Sequence, residues 1–172
     1  MDEKDELDGS LGEGLSPPSC LESLKLYGKL VRVTAWIHHL QNLSKLTLEY
    51  SRLKKDDAIQ ALGVLPNLAV LRLRSSFKGK QLCFQGSSFP SLVVLELCGL
   101  PYIESVLFEE DAMPWLELLQ VYMCMELVEI SGLAVLTILR EILLDHHLPY
   151  ELINEVQRQV VDHLKHARLM IS

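Results

Sequence analysis

The side chains of this sequence best equipped to hold a metal or attack a bond are its six histidines and four cysteines. The histidines fall as His38-His39, His146-His147 and His163/His166. The last pair, at i and i+3 of a helical stretch, would share one face and offer two imidazoles to a metal. No third ligand neighbours it in the sequence, so the pair reads as solvent-facing polar residues. Cys20, Cys83, Cys98 and Cys124 lie 63, 15 and 26 residues apart without a CxxC pair, which fits neither a zinc site nor a small disulfide scaffold. A thiol at Cys98 or Cys124 beside a histidine would make a nucleophile and base. The sequence offers it no orienting partner and no oxyanion donor, and these thiols read as structural. Phosphate chemistry needs a glycine-rich loop such as GxxxxGK[ST]. Gly28-Lys29 and Gly79-Lys80 lack the upstream glycine, and neither lysine precedes serine or threonine. The expectation is a non-enzyme without catalytic, cofactor-binding or metal-ligating residues.

The elements that would carry any function are set by leucine. In FPSLVVLELCGL (89–100) the steps from Leu92 to Leu95 and on to Leu97 are three and two, a pattern written by neither a plain strand nor a plain helix. The same spacing occurs as Leu21/Leu24/Leu26, Leu43/Leu46/Leu48, Leu68/Leu71/Leu73, Leu92/Leu95/Leu97, Leu116/Leu119/Val121 and Leu139/Ile142/Leu144, with periods of 22, 25, 24, 24 and 23 residues. Six copies in that band are the signature of an α/β leucine-rich repeat solenoid, with a parallel sheet on the concave face and short helices and loops on the convex face. Each unit is too small to bury its own apolar side, whereas stacked units share one core. Prolines at 18, 66, 90 and 114 punctuate the approach to four of the copies, where a missing amide hydrogen does least harm.

Three regions follow. Residues 1–17 hold six acidic side chains, one lysine and three glycines, and read as a poorly ordered acidic leader or the tail of a loop continuing upstream sequence. Residues 18–148 are the six repeats. Their returns differ: LVRVTAWIHHL (30–40) and KKDDAIQALGVL (54–65) read as short helices, the second with Asp56 and Asp57 near its positive end, while SSFKGKQLCFQGSS (75–88) reads as a loop or hairpin. Residues 149–172 form a C-terminal capping helix and short tail. Leu152, Val156, Val160 and Leu164 recur every four residues behind Pro149, with Glu151, Glu155, Arg158 and Asp162 opposite, and a short extended Leu169-Met170-Ile171 follows. No apolar run approaches the roughly 20 residues needed to cross a bilayer. The acidic start is unlike a secretory signal, so the expected location is cytoplasmic and the Asn42-Leu43-Ser44 sequon reads as a chance match.

Charge is laid out unevenly. Lys25 to Lys80 contain eleven Lys/Arg against three Asp/Glu, a balance of +8, whereas Glu96 to Asp162 contain thirteen Asp/Glu against two Lys/Arg, a balance of −11. Strand alternation turns Lys25, Arg72, Glu96 and Gln120, and two residues later Tyr27, Glu49, Arg74 and Tyr122, away from the core. These eight form the candidate protein-binding face, with arginine and tyrosine anchors of the type that carry interface energy. Within them, the outward Glu96 lies near the change from basic to acidic half. A nucleic-acid role fits poorly with a net charge of −7.

FPSLVVLELCGLPYIESVLFEEDAMPWLELLQVYMC, EISGLAVLTILREILL and EVQRQVVDHLKHA resemble the C-terminal leucine-rich repeats of plant intracellular disease-resistance proteins of the coiled-coil, nucleotide-binding class. NLSKLTLEYSRLKKDDAIQALGVLPNLAVLRL carries the same likeness, which spans residues 20–172. It implies an innate-immunity module that binds a pathogen effector, a guarded host protein or the receptor's own nucleotide-binding domain, and that restrains that domain. The chain has no phosphate loop, so ADP/ATP switching is not carried over to it. It reads as a fragment, a truncated product or a stand-alone repeat protein. The alternative is a substrate adaptor of a ubiquitin ligase, which an F-box-like segment upstream would favour.

Overall fold

The computed structural model describes residues 18, 20–30, 37–53, 56–164 and 166–172. The six leucine copies each supply one strand: β1 (Ser23–Tyr27), β2 (Lys45–Glu49), β3 (Val70–Arg74), β5 (Val94–Cys98), β7 (Leu118–Tyr122) and β9 (Glu141–Leu144). They stand side by side in one parallel sheet, completed by β10 (Arg168–Ile171) in the order β1-β2-β3-β5-β7-β9-β10. Register keeps the leucines in line. Leu24, Leu46, Leu71, Leu95, Leu119 and Ile142 pair in succession, as do Leu26, Leu48, Leu73, Leu97, Val121 and Leu144. From the second copy onward these side chains are fully buried. Those of the first copy are half-buried: among the described residues β1 is the edge strand, paired on one side only.

In five of the six copies a hydrogen-bonded turn precedes the strand. There the amide of the copy's first leucine donates to the carbonyl three residues back, as in Leu92 to Phe89 (3.3 Å), Leu116 to Met113 (3.1 Å) and Leu43 to Leu40 (3.1 Å). Pro90 and Pro114 therefore occupy the second turn position, where a fixed φ suits the bend, four residues ahead of the strand. Past the strand the chain turns again. Gly28, Tyr50, Ser75, Gly99 and Met123 all have positive φ at the same place in five successive copies. Four of their amides donate to the next rung's carbonyl, Gly28 to Glu49, Tyr50 to Arg74, Ser75 to Cys98 and Gly99 to Tyr122, at 2.9–3.0 Å. Only two of the five are glycine, so the ladder holds the left-handed backbone even where side chains resist it.

The returns are less uniform. A helix, α1 (Asp56–Gly63), occupies the second return, as its period suggests, with Ile59 and Leu62 buried. The helix expected over 30–40 falls largely on 31–36, outside the described residues; Ile37 is helical. The return read as a loop or hairpin instead contributes β4 (Gln81–Phe84), which pairs with β6 (Ser105–Phe108) of the next return and, through it, with β8 (Glu129–Ser131). This second parallel sheet forms because Leu82 and Phe84 point into the core in phase with Val106 and Phe108. Phe84 stacks on Phe108 at 5.3 Å and meets Phe89 edge-on at 5.7 Å. Gly132, after β8, has φ 80°, and a Cβ there would lie 2.0 Å from the Phe108 carbonyl oxygen.

At the far end α2 (Tyr150–His163), with Pro149 at its N-cap, buries Leu152, Ile153, Val156 and Val160. The chain then returns as β10 along β9. Helix and strand together cover apolar surface that the last rung would otherwise leave open. Among the described residues, no helix is long and apolar enough to cross a membrane.

Candidate protein-recognition face

All eight residues singled out by alternation lie on the outward side of the seven-stranded sheet, and the register brings them together. Tyr27 stands opposite Glu49, Glu49 opposite Arg74, Arg72 opposite Glu96, and Glu96 opposite Gln120. Five form one chain of ion pairs from rung to rung. Lys25 Nζ lies 3.0 Å from Glu49 Oε1, which Arg74 Nη1 meets at 3.5 Å. Arg74 then donates Nε to Glu96 Oε1 at 2.6 Å and Nη2 to Oε2 at 3.2 Å, and Arg72 Nε reaches the same Oε2 at 3.1 Å. The fork from Arg74 is the bidentate geometry that gives guanidinium-carboxylate pairs their strength. Its hydrogen bond to Glu96 raises the Arg74 pKa above the ordinary value.

Glu96 was expected to be open to a partner. It does face away from the leucines, yet it is only 7% exposed. Two arginines of the neighbouring strand lie over it, so the outermost groups of this patch are the guanidiniums and the carboxylate is their anchor. Tyr27 is 64% exposed and packs against Tyr50 with ring centroids 5.0 Å apart. Tyr122 lies half-buried opposite Cys98; burial and then the nearby Glu96 raise the pKa of both groups. Cys98 thus ends its strand on the outward side and does not pack into the following turn. Cys124 is the thiol that packs inward, and burial pushes it up to about 11, the opposite of a nucleophile's requirement.

Two features escaped the reading of the sequence. Tyr50 and Met123 share the left-handed position after the strand and are both exposed, which makes an apolar rim beside the charged columns. At the other end, Asp145 takes over where the amide ladder runs out of strand. Met123 N–H donates to its Oδ2 at 3.1 Å, while the His147 N–H and Nδ1 meet its Oδ1 at 3.0 and 2.8 Å. Those bonds, the His147 amide first, hold its pKa down at about 2. An Asp just past the last leucine copy, followed directly by two histidines, was the available signal.

A profile of the leucine-rich repeat region matches residues 2–170. The chain belongs to the leucine-rich repeat family. It is similar to disease resistance protein RPM1 of Arabidopsis thaliana, 35% identical over 112 residues, or 65% of the chain and 12% of that protein. It is similar also to disease resistance protein Pik-2 of Oryza sativa subsp. japonica, 27% identical over 162 residues (82% and 16%). The probable disease resistance protein RF9 of Arabidopsis thaliana is 32% identical over 131 residues (76% and 11%). The resemblance to plant disease-resistance repeats therefore holds across the leucine-rich repeat chain, which spans a small fraction of each relative's length.

Proposed function

We propose that this leucine-rich repeat chain recognises protein in plant defence, by contact and without catalysis, through the outward face of its seven-stranded sheet. Its partner is a pathogen effector, a guarded host protein or the nucleotide-binding domain that such repeats restrain, and it acts in the cytoplasm. The observation that carries this reading is the ion-pair chain from Lys25 to Arg72. It holds two guanidiniums about two-fifths exposed over a buried carboxylate, pre-ordered and with N–H groups to spare. Arginines fixed in that way lose little freedom when an acidic group docks on them. Tyr27 and Tyr50 beside them supply the aromatic anchor common at protein interfaces.

The test is a charge reversal that preserves internal pairing, Arg72→Glu/Arg74→Glu/Glu96→Arg, in a chain used to capture partners from plant tissue. The affinity of a captured and purified partner should fall about tenfold or more, while the fold is retained. Undiminished affinity would remove this face from the account.

A further inference from the structure

Alternation places one more outward column on the seven-stranded sheet, two residues before the column of Arg72 and Glu96. At β3, β5 and β7 its members are Val70, Val94 and Leu118, which pair in register across three successive rungs and are all half-buried. Lys45 of β2 and Glu141 of β9 close this apolar strip at its two ends. The strip has no part in the core, whose same rungs are filled from the other side by Leu71, Leu95 and Leu119. Val70 and Arg72 leave β3 on the same side, about 7 Å apart along the strand.

Charge beside the strip is not balanced. Three cations, Lys25, Arg72 and Arg74, meet two carboxylates, Glu49 and Glu96, and one further carboxylate would complete the chain. Arg72 is the guanidinium with donors to spare, since among the described residues it gives only Nε, to Glu96. Spacing then selects the shape of what docks. Successive rungs stand about 4.8 Å apart, so Val70 to Leu118 spans about 10 Å. Residues i and i+7 of an α-helix lie about 10.5 Å apart along its axis, with i+3 or i+4 midway on the same face. An extended strand laid in that direction repeats on one face every 6.7 Å or so and falls out of step with the rungs. Five residues of strand make the sheet about 13 Å wide, enough for one helix about 10 to 12 Å across.

We propose that this face accepts an acidic amphipathic α-helix of a protein partner, lying across the strands. Apolar residues spaced i, i+3 or i+4 and i+7 lie over Val70, Val94 and Leu118, and a carboxylate flanking the one on Val70 meets Arg72. This rests on recognition by the outward face, as proposed above, and names what docks there. The apolar stripe supplies the buried contact of a helix-on-groove interface, and the anchored guanidinium fixes which border of the helix is acidic.

The experiment is a selection against the full chain from a displayed library of helical peptides, about 15 residues long so that they hold their helix and randomised on one face, with affinities then measured by calorimetry. Selected peptides should carry apolar residues at the stated spacing and Asp or Glu on one border. Val94→Thr/Leu118→Thr, which keeps strand-forming residues, should weaken them about tenfold. Arg72→Gln should remove the preference for an acidic border, and Val64→Ser, at an exposed valine outside the sheet, should change nothing. The proposal is overturned if no helix is selected, if those selected lack the stripe, or if folded Val94→Thr/Leu118→Thr binds them as the wild type does. In that last case, weakening by Arg72→Glu/Arg74→Glu/Glu96→Arg would keep the recognition face and discard the helix, whereas indifference to both changes would discard the two together.

Discussion

The two ends of the seven-stranded sheet share an apolar floor and differ in what lies on top of it. From β1 to β5 the outward columns are joined by side chains, Lys25 to Glu49 to Arg74 to Glu96 to Arg72. From β7 to β9 the same columns carry Gln120, Tyr122 and Leu143, and polar organisation passes to Asp145, which gathers backbone amides and a histidine at the strand end. One end thus presents charge anchored from below. The other spends its one buried carboxylate on finishing the stack, which is why recognition is assigned to the first.

The largest effects should show the floor to be common. Leu95→Ala and Leu119→Ala both empty fully buried positions of adjoining rungs, and each should cost about 2 to 5 kcal/mol in denaturant unfolding. A much smaller cost at either position would mean that the two ends are not one continuous core.

An intermediate effect should separate the tops. Arg72→Ala/Arg74→Ala leaves the Glu96 carboxylate without its counter-ions and should cost about 1 to 3 kcal/mol. The arginines' own exposure keeps this below the penalty for breaking a fully buried pair. Gln120→Ala, one rung on, should change stability by no more than about 0.5 kcal/mol. Equal costs would mean that the ion pairs contribute no more order than a lone glutamine.

The smallest effect is confined to acid. The folded-state pKa of Asp145 is lowered from 3.8 to about 2, so the unfolded chain takes up its proton first as pH falls. The stabilisation is present in full above the unfolded value and is lost as pH drops through the folded one. Unfolding of Asp145→Asn between pH 5 and pH 2 should therefore show a shallower loss of stability than the wild type, the range being set by about those two values. Parallel curves would remove the aspartate from the strand-end account.

The six leucine-copy strands were legible because burial imposes a two-residue alternation on each copy and the stack imposes one period on all six. The Glu96 cover was not, since alternation tells which side of the sheet a residue takes but not that arginines 24 and 22 positions earlier will fold over it. The second sheet was hidden for a related reason. Gln81 to Phe84 is flanked by glycine and serine and has no partner nearby in sequence, and only stacking brings Ser105 to Phe108 alongside. The second residue past the strand tells the same story. Repeats of this family place Asn or Cys there; this chain has Ser51, Ser76, Leu100 and Cys124, and the two serine hydroxyls are buried without a hydrogen-bond partner among the described residues. Those positions become comparable only after the strands are aligned.

The most direct test of the recognition face is the salt dependence of partner affinity, measured for the wild type and for Arg72→Glu/Arg74→Glu/Glu96→Arg. If the anchored guanidiniums meet an acidic surface, wild-type affinity should fall as ionic strength rises, and the reversed protein should bind more weakly with a flattened or inverted slope. Superimposable salt curves from two folded proteins would contradict the assignment.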